Sequence, residues 1–335
     1  MLPVGAEFLD FSYNLFSSTI PENIGLFLNF TGILSFSGNK LIGKIPFSIC
    51  NARNLEALDM SLNNLNGSIP ECLFTITSLT VLDLRKNKLQ GPIPDSFTSH
   101  SQLGTLNLNG DEFQGSLTQL RVMVLRSNRF DGSIPESKSV AFSMFQIIDL
   151  SSNDFSGSFP KEFLQNLKAM SVVSQTNSPH ILQYTYSAAN GNGSLFDRYY
   201  YQSTVTLRIK GMDLQLQKTL TILTVIDLSN NALEGETPDQ IGGLKGLCIL
   251  NMSRNNLQGH IPEAIGALKQ LESLFLLQNQ LTGAIPTGLS QISFLSVLNL
   301  SWNSLSGMIP KGTQLQCFFF CQQPRALWAT IGSGL

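Results

Sequence analysis

The chain has 335 residues, only 13% of them charged, with a formal net charge of −2. So low a charge content, without any block of like charge, excludes an acidic or basic tail and makes nucleic acid an unexpected partner. The 52 leucines and 26 asparagines fill more than one position in five, while three histidines, His100, His180 and His260, leave little of the commonest general base and metal ligand.

At the amino end, Met1 to Asn14 shows no basic residue ahead of an apolar core, so no signal peptide is read there. No apolar run approaches the ~20 residues of a membrane-spanning helix. Length alone suggests roughly two domains, but a repeat overrides that prior. The pattern LxxLxLxxNxLxGxIP stands clearly at Leu79 to Pro94. Its asparagine recurs at Asn14, Asn39, Asn63, Asn87, Asn128, Asn153, Asn231, Asn255, Asn279 and Asn303, with Asp111 in its place once, and most steps are 24 residues. This period matches a leucine-rich repeat. The expected fold is an α/β solenoid of about eleven coils, with a parallel β-sheet on its concave face.

Each repeat position has a physical reading. Within LxLxx, alternate residues point to opposite faces of a short strand, so the leucines enter the core and the residues between them face outward. The asparagine offers a donor and an acceptor on one short side chain and satisfies backbone groups where the chain leaves the strand. Gly permits turn conformations closed to other residues and Pro fixes φ, so GxIP starts a non-strand return path.

The period breaks twice. From Asp111 to Asn128 is 17 residues, which reads either as a lost coil with its remnants joined or as a tolerated short coil. From Asn153 to Asn231 is 78, or 24 + 54, so about 54 residues interrupt the array. The boundaries read as 1–165 for the first block of repeats, 166–218 for the island, 219–310 for four further repeats and 311–335 for a non-consensus tail. Within the island, Ser171 to Leu195 reads as loop. Tyr199 to Gly211 alternates apolar and polar residues and reads as a strand ending in a turn at Lys210-Gly211. A long insertion in a compact array is more often functional than decorative.

Several side chains stand out as candidates. On the outward positions, Arg85, Lys86, Lys88, Arg126 and Arg129 form a basic patch beside a column of Asp59, Asp83, Asp149 and Asp227. That pairing suits a charged peptide or oligosaccharide, and equally a solvated surface with compensating charge. Tyr199, Tyr200 and Tyr201 either flank a ligand groove or fasten the island. Phe275, Leu277 and Trp302 face outward where polar residues are expected, which suggests a protein contact. Asn29, Asn66, Asn192, Asn251 and Asn299 head NxS/T sequons, about as many as chance supplies. Cys50 and Cys72, 22 apart on successive coils, either form a disulfide or remain two buried thiols. Cys317 and Cys321 match no metal pattern and sit in a tail read as unstructured. No P-loop, HExxH or GxSxG is present, so neither catalysis nor a cofactor is expected.

The repeat subtype LxxLxLxxNxLxGxIP, together with the stretch YYYQSTVTLRIKGMDLQLQKTLTILTVIDLSNNALEGETP, resembles plant receptor-like proteins. The resemblance runs from about Phe8 to Gln316 and implies a kinase-less cell-surface receptor at the plasma membrane. It also implies an extracellular ligand, a peptide, protein or oligosaccharide, and signalling through adaptor and co-receptor kinases in defence or development. By resemblance the four repeats after the island, with Phe275, Leu277 and Trp302, would face the co-receptor. The family's signal peptide, caps and membrane span have no counterpart here, so the chain reads as a partial ectodomain. The other readings are a secreted inhibitor of pathogen wall-degrading enzymes, against which the island argues, and a non-functional truncated product.

Overall fold

The computed structural model describes residues 5–92, 103–108, 112–114, 122–134, 144–159, 161–173, 184–187, 198–201, 205–209, 212–216 and 223–311. The chain divides into two compact units, one of residues 1–130, 180–206 and 215–221, the other of 131–179, 207–214 and 222–335.

In the first unit, Phe8–Asp10, Ile33–Ser35, Ala57–Asp59, Val81–Asp83, Thr105–Asn107 and Val122–Val124 are consecutive parallel neighbours. In the second unit the same ladder runs through Ile147–Asp149, Val225–Asp227, Ile249–Asn251, Ser273–Phe275 and Val297–Asn299. The central leucines Leu34, Leu58, Leu82, Leu250 and Leu274 are fully buried, as the two-residue alternation requires. The opposite face departs from expectation. Its first column is apolar, and Ile33, Ala57 and Val81 are themselves buried against one another, because β-branched side chains stacked about 4.8 Å apart shield each other.

The return path carries a second parallel sheet in each unit, which the reading of GxIP as purely non-strand missed. The first unit has Ile42–Gly43, Asn64–Gly67, Lys88–Pro92 and Glu112–Gln114. The second has Asp131–Ser133, Asp154–Ser158, Ala232–Glu236 and Asn256–Gln258. Its cause is the x-L-x alternation that follows each motif asparagine: Leu89 is buried while Lys88 and Gln90 are exposed. Beyond it, proline in an extended conformation opens a single 3-10 turn, as Pro46 does before Phe47–Asn51 and Pro262 before Glu263–Ala267. Each turn buries one aliphatic residue, Ile49 or Ile265.

Every described motif asparagine ties its coil together, and most reach the preceding one. Asn63 Nδ2 donates to Met60 O in its own coil (3.1 Å) and to Phe36 O in the coil before (2.9 Å), while its Oδ1 accepts from Leu41 N (2.9 Å). Asn255 repeats this on Met252 O, Leu228 O and Leu233 N. Asn14, in the first coil, bonds Phe11 O and Ser12 O of its own chain segment.

The residue before each of these asparagines is left-handed, with φ between 52° and 58° at Tyr13, Leu62, Lys86, Ser127, Ser152, Asn230, Arg254, Gln278 and Trp302. Such a conformation costs about 1–2 kcal/mol for a residue with a Cβ. It is held because it aims the backbone N–H at the next coil, as Leu62 N does at Arg85 O (2.9 Å).

The two breaks take different forms. In the short coil, Val122 pairs with Thr105, 17 residues earlier, with Val122 N on Gly104 O at 3.0 Å and Leu108 N on Val124 O at 2.9 Å. The strand ladder therefore carries this coil without slipping. Asp111 lies outside the described residues. At the long break, Val225 pairs directly with Ile147, so the stack continues while the insertion loops out.

Two details of the island change. Residues Lys161–Asn166 and Lys168–Ser171 are helical, and Phe163, Leu164, Leu167 and Met170 are buried. Their three- and four-residue spacing packs them on the coils, and Met170 O accepts from Gly246 N at 2.8 Å. Within the stretch read as loop, Tyr184–Ser187 is a strand, antiparallel to Arg198–Tyr201. Val205–Ile209 pairs with Met212–Leu216. Lys210 and Gly211, the expected turn, lie outside the described residues.

Candidate functional site

The outward faces sort the candidate residues differently from a plain reading of alternation. The acidic column is structural. Asp59, Asp83, Asp149 and Asp227 are all buried. Each Oδ1 accepts the backbone N–H two residues on, from Ser61 (2.9 Å), Arg85 (3.2 Å), Ser151 (3.0 Å) and Ser229 (2.9 Å). The aspartates fix the strand exit as Asx turns rather than facing a ligand. Their signal was legible as Asp-Leu-Ser or Asp-Leu-Arg ahead of the motif asparagine.

The basic patch divides as well. Arg85 is buried, with its guanidinium 3.6 Å from Asp83 Oδ2. Arg126 holds the equivalent exit position and is half-buried. Lys86 is exposed on the left-handed turn, while Lys88 begins a strand of the second sheet and Arg129 holds the equivalent position. These five residues do not make one concave surface.

Tyr199, Tyr200 and Tyr201 lie on the strand Arg198–Tyr201, in register with Tyr186, Thr185 and Tyr184. Phe275 is buried, not exposed, since Asn251 and Asn299 flank it in the ladder. Leu277 is half-buried, and Trp302 is 67% exposed.

Among the sequons, Asn29 and Asn66 are exposed. Asn251 has no room for a sugar: it is buried, its Nδ2 donates to Asp227 Oδ2 (3.0 Å), and its Oδ1 accepts from Ser253, the serine of its own sequon (2.7 Å). Asn299 is half-buried and likewise accepts from Ser301 (2.7 Å). Asn192 lies outside the described residues, as do Cys317 and Cys321. Cys50 and Cys72 form a disulfide between successive 3-10 turns, with Cα atoms 5.7 Å apart.

The left-handed column was not foreseen, and it is the most open row in the second unit. Asn230, Arg254, Gln278 and Trp302 are all exposed, one per coil. Their N–H groups bind the next coil, at 2.9 Å for Asn230 to Ser253 O and 2.8 Å for Arg254 to Leu277 O. Arg254 Nε also donates to Gln278 Oε1 at 2.8 Å. The row presents a cation, an amide and an indole on a backbone that two sets of hydrogen bonds hold in place.

A groove of about 570 Å³ opens elsewhere in the second unit, between Ser158–Glu162 and Glu236–Gln240, with His260 and Pro262 at one end. Among the described residues no group of His, Cys, Asp or Glu is arranged to hold a metal ion, and no helix is long and apolar enough to cross a membrane.

Stacked coils of this length, an asparagine ladder and a parallel sheet define a leucine-rich-repeat protein. The leucine rich repeat model matches residues 221–281, and single-repeat models match 54–76, 78–100, 144–166 and 294–314. Within that class the chain is related to plant receptor-like proteins. It is 38% identical over 132 residues to Receptor-like protein 19 of Arabidopsis thaliana and 40% identical over 132 residues to Receptor-like protein 43. Each alignment takes in 39% of this chain but only 13% and 17% of those relatives, so the chain spans a small part of their length. Among solved structures, a TDR receptor superposes with a TM-score of 0.70 at 26% identity, covering 91% of this chain and 44% of that one. The Arabidopsis receptor kinase HAESA, in complex with the peptide hormone IDA and the co-receptor SERK1, superposes at 0.67 and 25%, covering 90% and 46%.

Proposed function

We propose that this chain is the ligand-sensing part of a plant receptor-like protein. It binds an extracellular peptide, protein or oligosaccharide through its strand-exit face and island, and it signals through a partner receptor kinase in defence or development. The place of action is the outer face of the plasma membrane. The observation that carries this reading is the direct pairing of Val225 with Ile147 across a looped-out insertion. Such pairing preserves an unbroken ladder in the second unit while displaying an extra segment beside it. The related proteins are receptors, and the HAESA structure holds both a peptide and a co-receptor.

The exposed row of Arg254, Gln278 and Trp302 is the surface best suited to a kinase ectodomain, because exposed aromatic and arginine side chains dominate protein contacts. The test is co-elution of the full chain with the SERK1 ectodomain, with and without Trp302→Ala. Complex formation weakened about tenfold or more by the substitution supports the reading. A complex indifferent to Trp302 and Arg254 places the contact elsewhere, and no complex under any condition removes the co-receptor from the proposal.

A further inference from the structure

The groove beside Glu236 is unrelated to the strand-exit row, and its chemistry is specific. Its floor is apolar, with Phe159 and Pro238 buried. Thr237 lines it, 6% exposed, and its hydroxyl makes no hydrogen bond within the protein. A buried hydroxyl without a partner costs about 1–3 kcal/mol, so this one marks a position where a hydrogen-bond donor is missing. Around it stand the carboxylates of Glu162, Glu236 and Asp239, all exposed, against the single cation Lys161.

The wall is built by the repeat. Gly259, at φ +73°, leaves the space that the Glu236 side chain occupies: a Cβ there would lie 2.7 Å from Glu236 Cγ. The wider face is acidic too. Asp131, Asp154, Glu234 and Glu236 are exposed on the second sheet of this unit, whose strands carry no lysine or arginine.

We infer that this groove binds a guanidinium group, the arginine side chain of a partner polypeptide. A planar, multiply donating cation answers each feature. It supplies forked hydrogen bonds to carboxylates, a donor for the Thr237 hydroxyl and a weakly hydrated flat body for the apolar floor. The carboxylates do not close into a metal site, and the volume falls within the range of small-ligand sites.

The experiment is calorimetric titration of the full chain at low salt with N-acetylarginine amide and with its citrulline counterpart, which has the same shape without the charge. The expected result is saturable arginine binding about tenfold tighter than citrulline. Glu236→Gln and Thr237→Val should each weaken arginine without changing citrulline, and Lys161→Gln should strengthen it. Glu236 and Lys161 are exposed, so these two variants keep the fold whatever happens at Thr237. Equal binding of the two amides, undetectable binding of arginine, or arginine binding unchanged in Glu236→Gln overturns the inference. None of these outcomes depends on a co-receptor or on Trp302, so the inference and the receptor reading fail separately.

Discussion

The second sheets of the two units share a backbone and differ in charge. In the first, Lys88 lies on the sheet and Lys40 and Lys44 flank it, all exposed. In the second, the corresponding strands expose Asp131, Asp154, Glu234 and Glu236. The hydrogen bonds beneath are the same, since Asn63 and Asn255 make equivalent sets. The comparison separates what the repeat dictates, which is leucine, asparagine and glycine, from what it leaves to selection, which is the polar residue on either side of each leucine.

That separation can be broken. If the asparagines are scaffold alone, Asn63→Ala and Asn255→Ala should each cost about 3 kcal/mol in urea unfolding, because several buried backbone groups lose their partner together. A cost confined to one unit would end the equivalence. The first unit has one extra constraint. Replacing both Cys50 and Cys72 with alanine should cost about 2–3 kcal/mol, as expected for a closed loop of about twenty residues, and reduction of the unaltered chain should give the same loss.

In the second unit a gain is expected. Ser273 is buried between Ile249 and Val297 in the ladder with its hydroxyl unpartnered. Ser273→Val should therefore stabilise by about 1 kcal/mol. By contrast Glu234→Lys, on the free outer position, should move stability by no more than about 0.5 kcal/mol. A larger loss would show that the acidic face is part of the scaffold.

The smallest effect concerns Glu56, whose carboxyl is raised above its ordinary 4.5 by partial burial. A carboxyl raised in the fold disfavours the folded state once it ionises. Glu56→Gln should therefore raise the melting temperature slightly at pH 7 and leave it unchanged below about pH 4.

The core was legible in the sequence because its period is written in large apolar residues, and a stacked coil leaves leucine only one side to face. The motif asparagine was legible for the same reason: its donor and acceptor have one use at a strand exit. Arg85 and Phe275 were not. Alternation correctly sets them opposite the leucines, but burial on that side depends on neighbouring coils about 4.8 Å away, which a single repeat does not show. Nor was the left-handed column, since Leu62, Lys86, Arg254 and Trp302 share no side-chain property; the backbone requirement is common to them and the residue type is free. The groove escaped for a third reason. Its walls come from residues 158–162, 236–240 and 260–262, and the first two become neighbours only because the insertion is looped out.

The asparagine bonds all run one way. Asn63 serves Phe36 and Leu41, Asn255 serves Leu228 and Leu233, and Asn303 serves Leu276 and Leu281. Each coil is thus finished by its successor. On a ribosome, a newly emerged coil keeps open carbonyls and an open amide until about two dozen further residues have appeared, so ordering trails synthesis by one coil. Removal of a coil from the carboxyl side uncovers the one before it, while removal from the amino side strips no such bond from what remains.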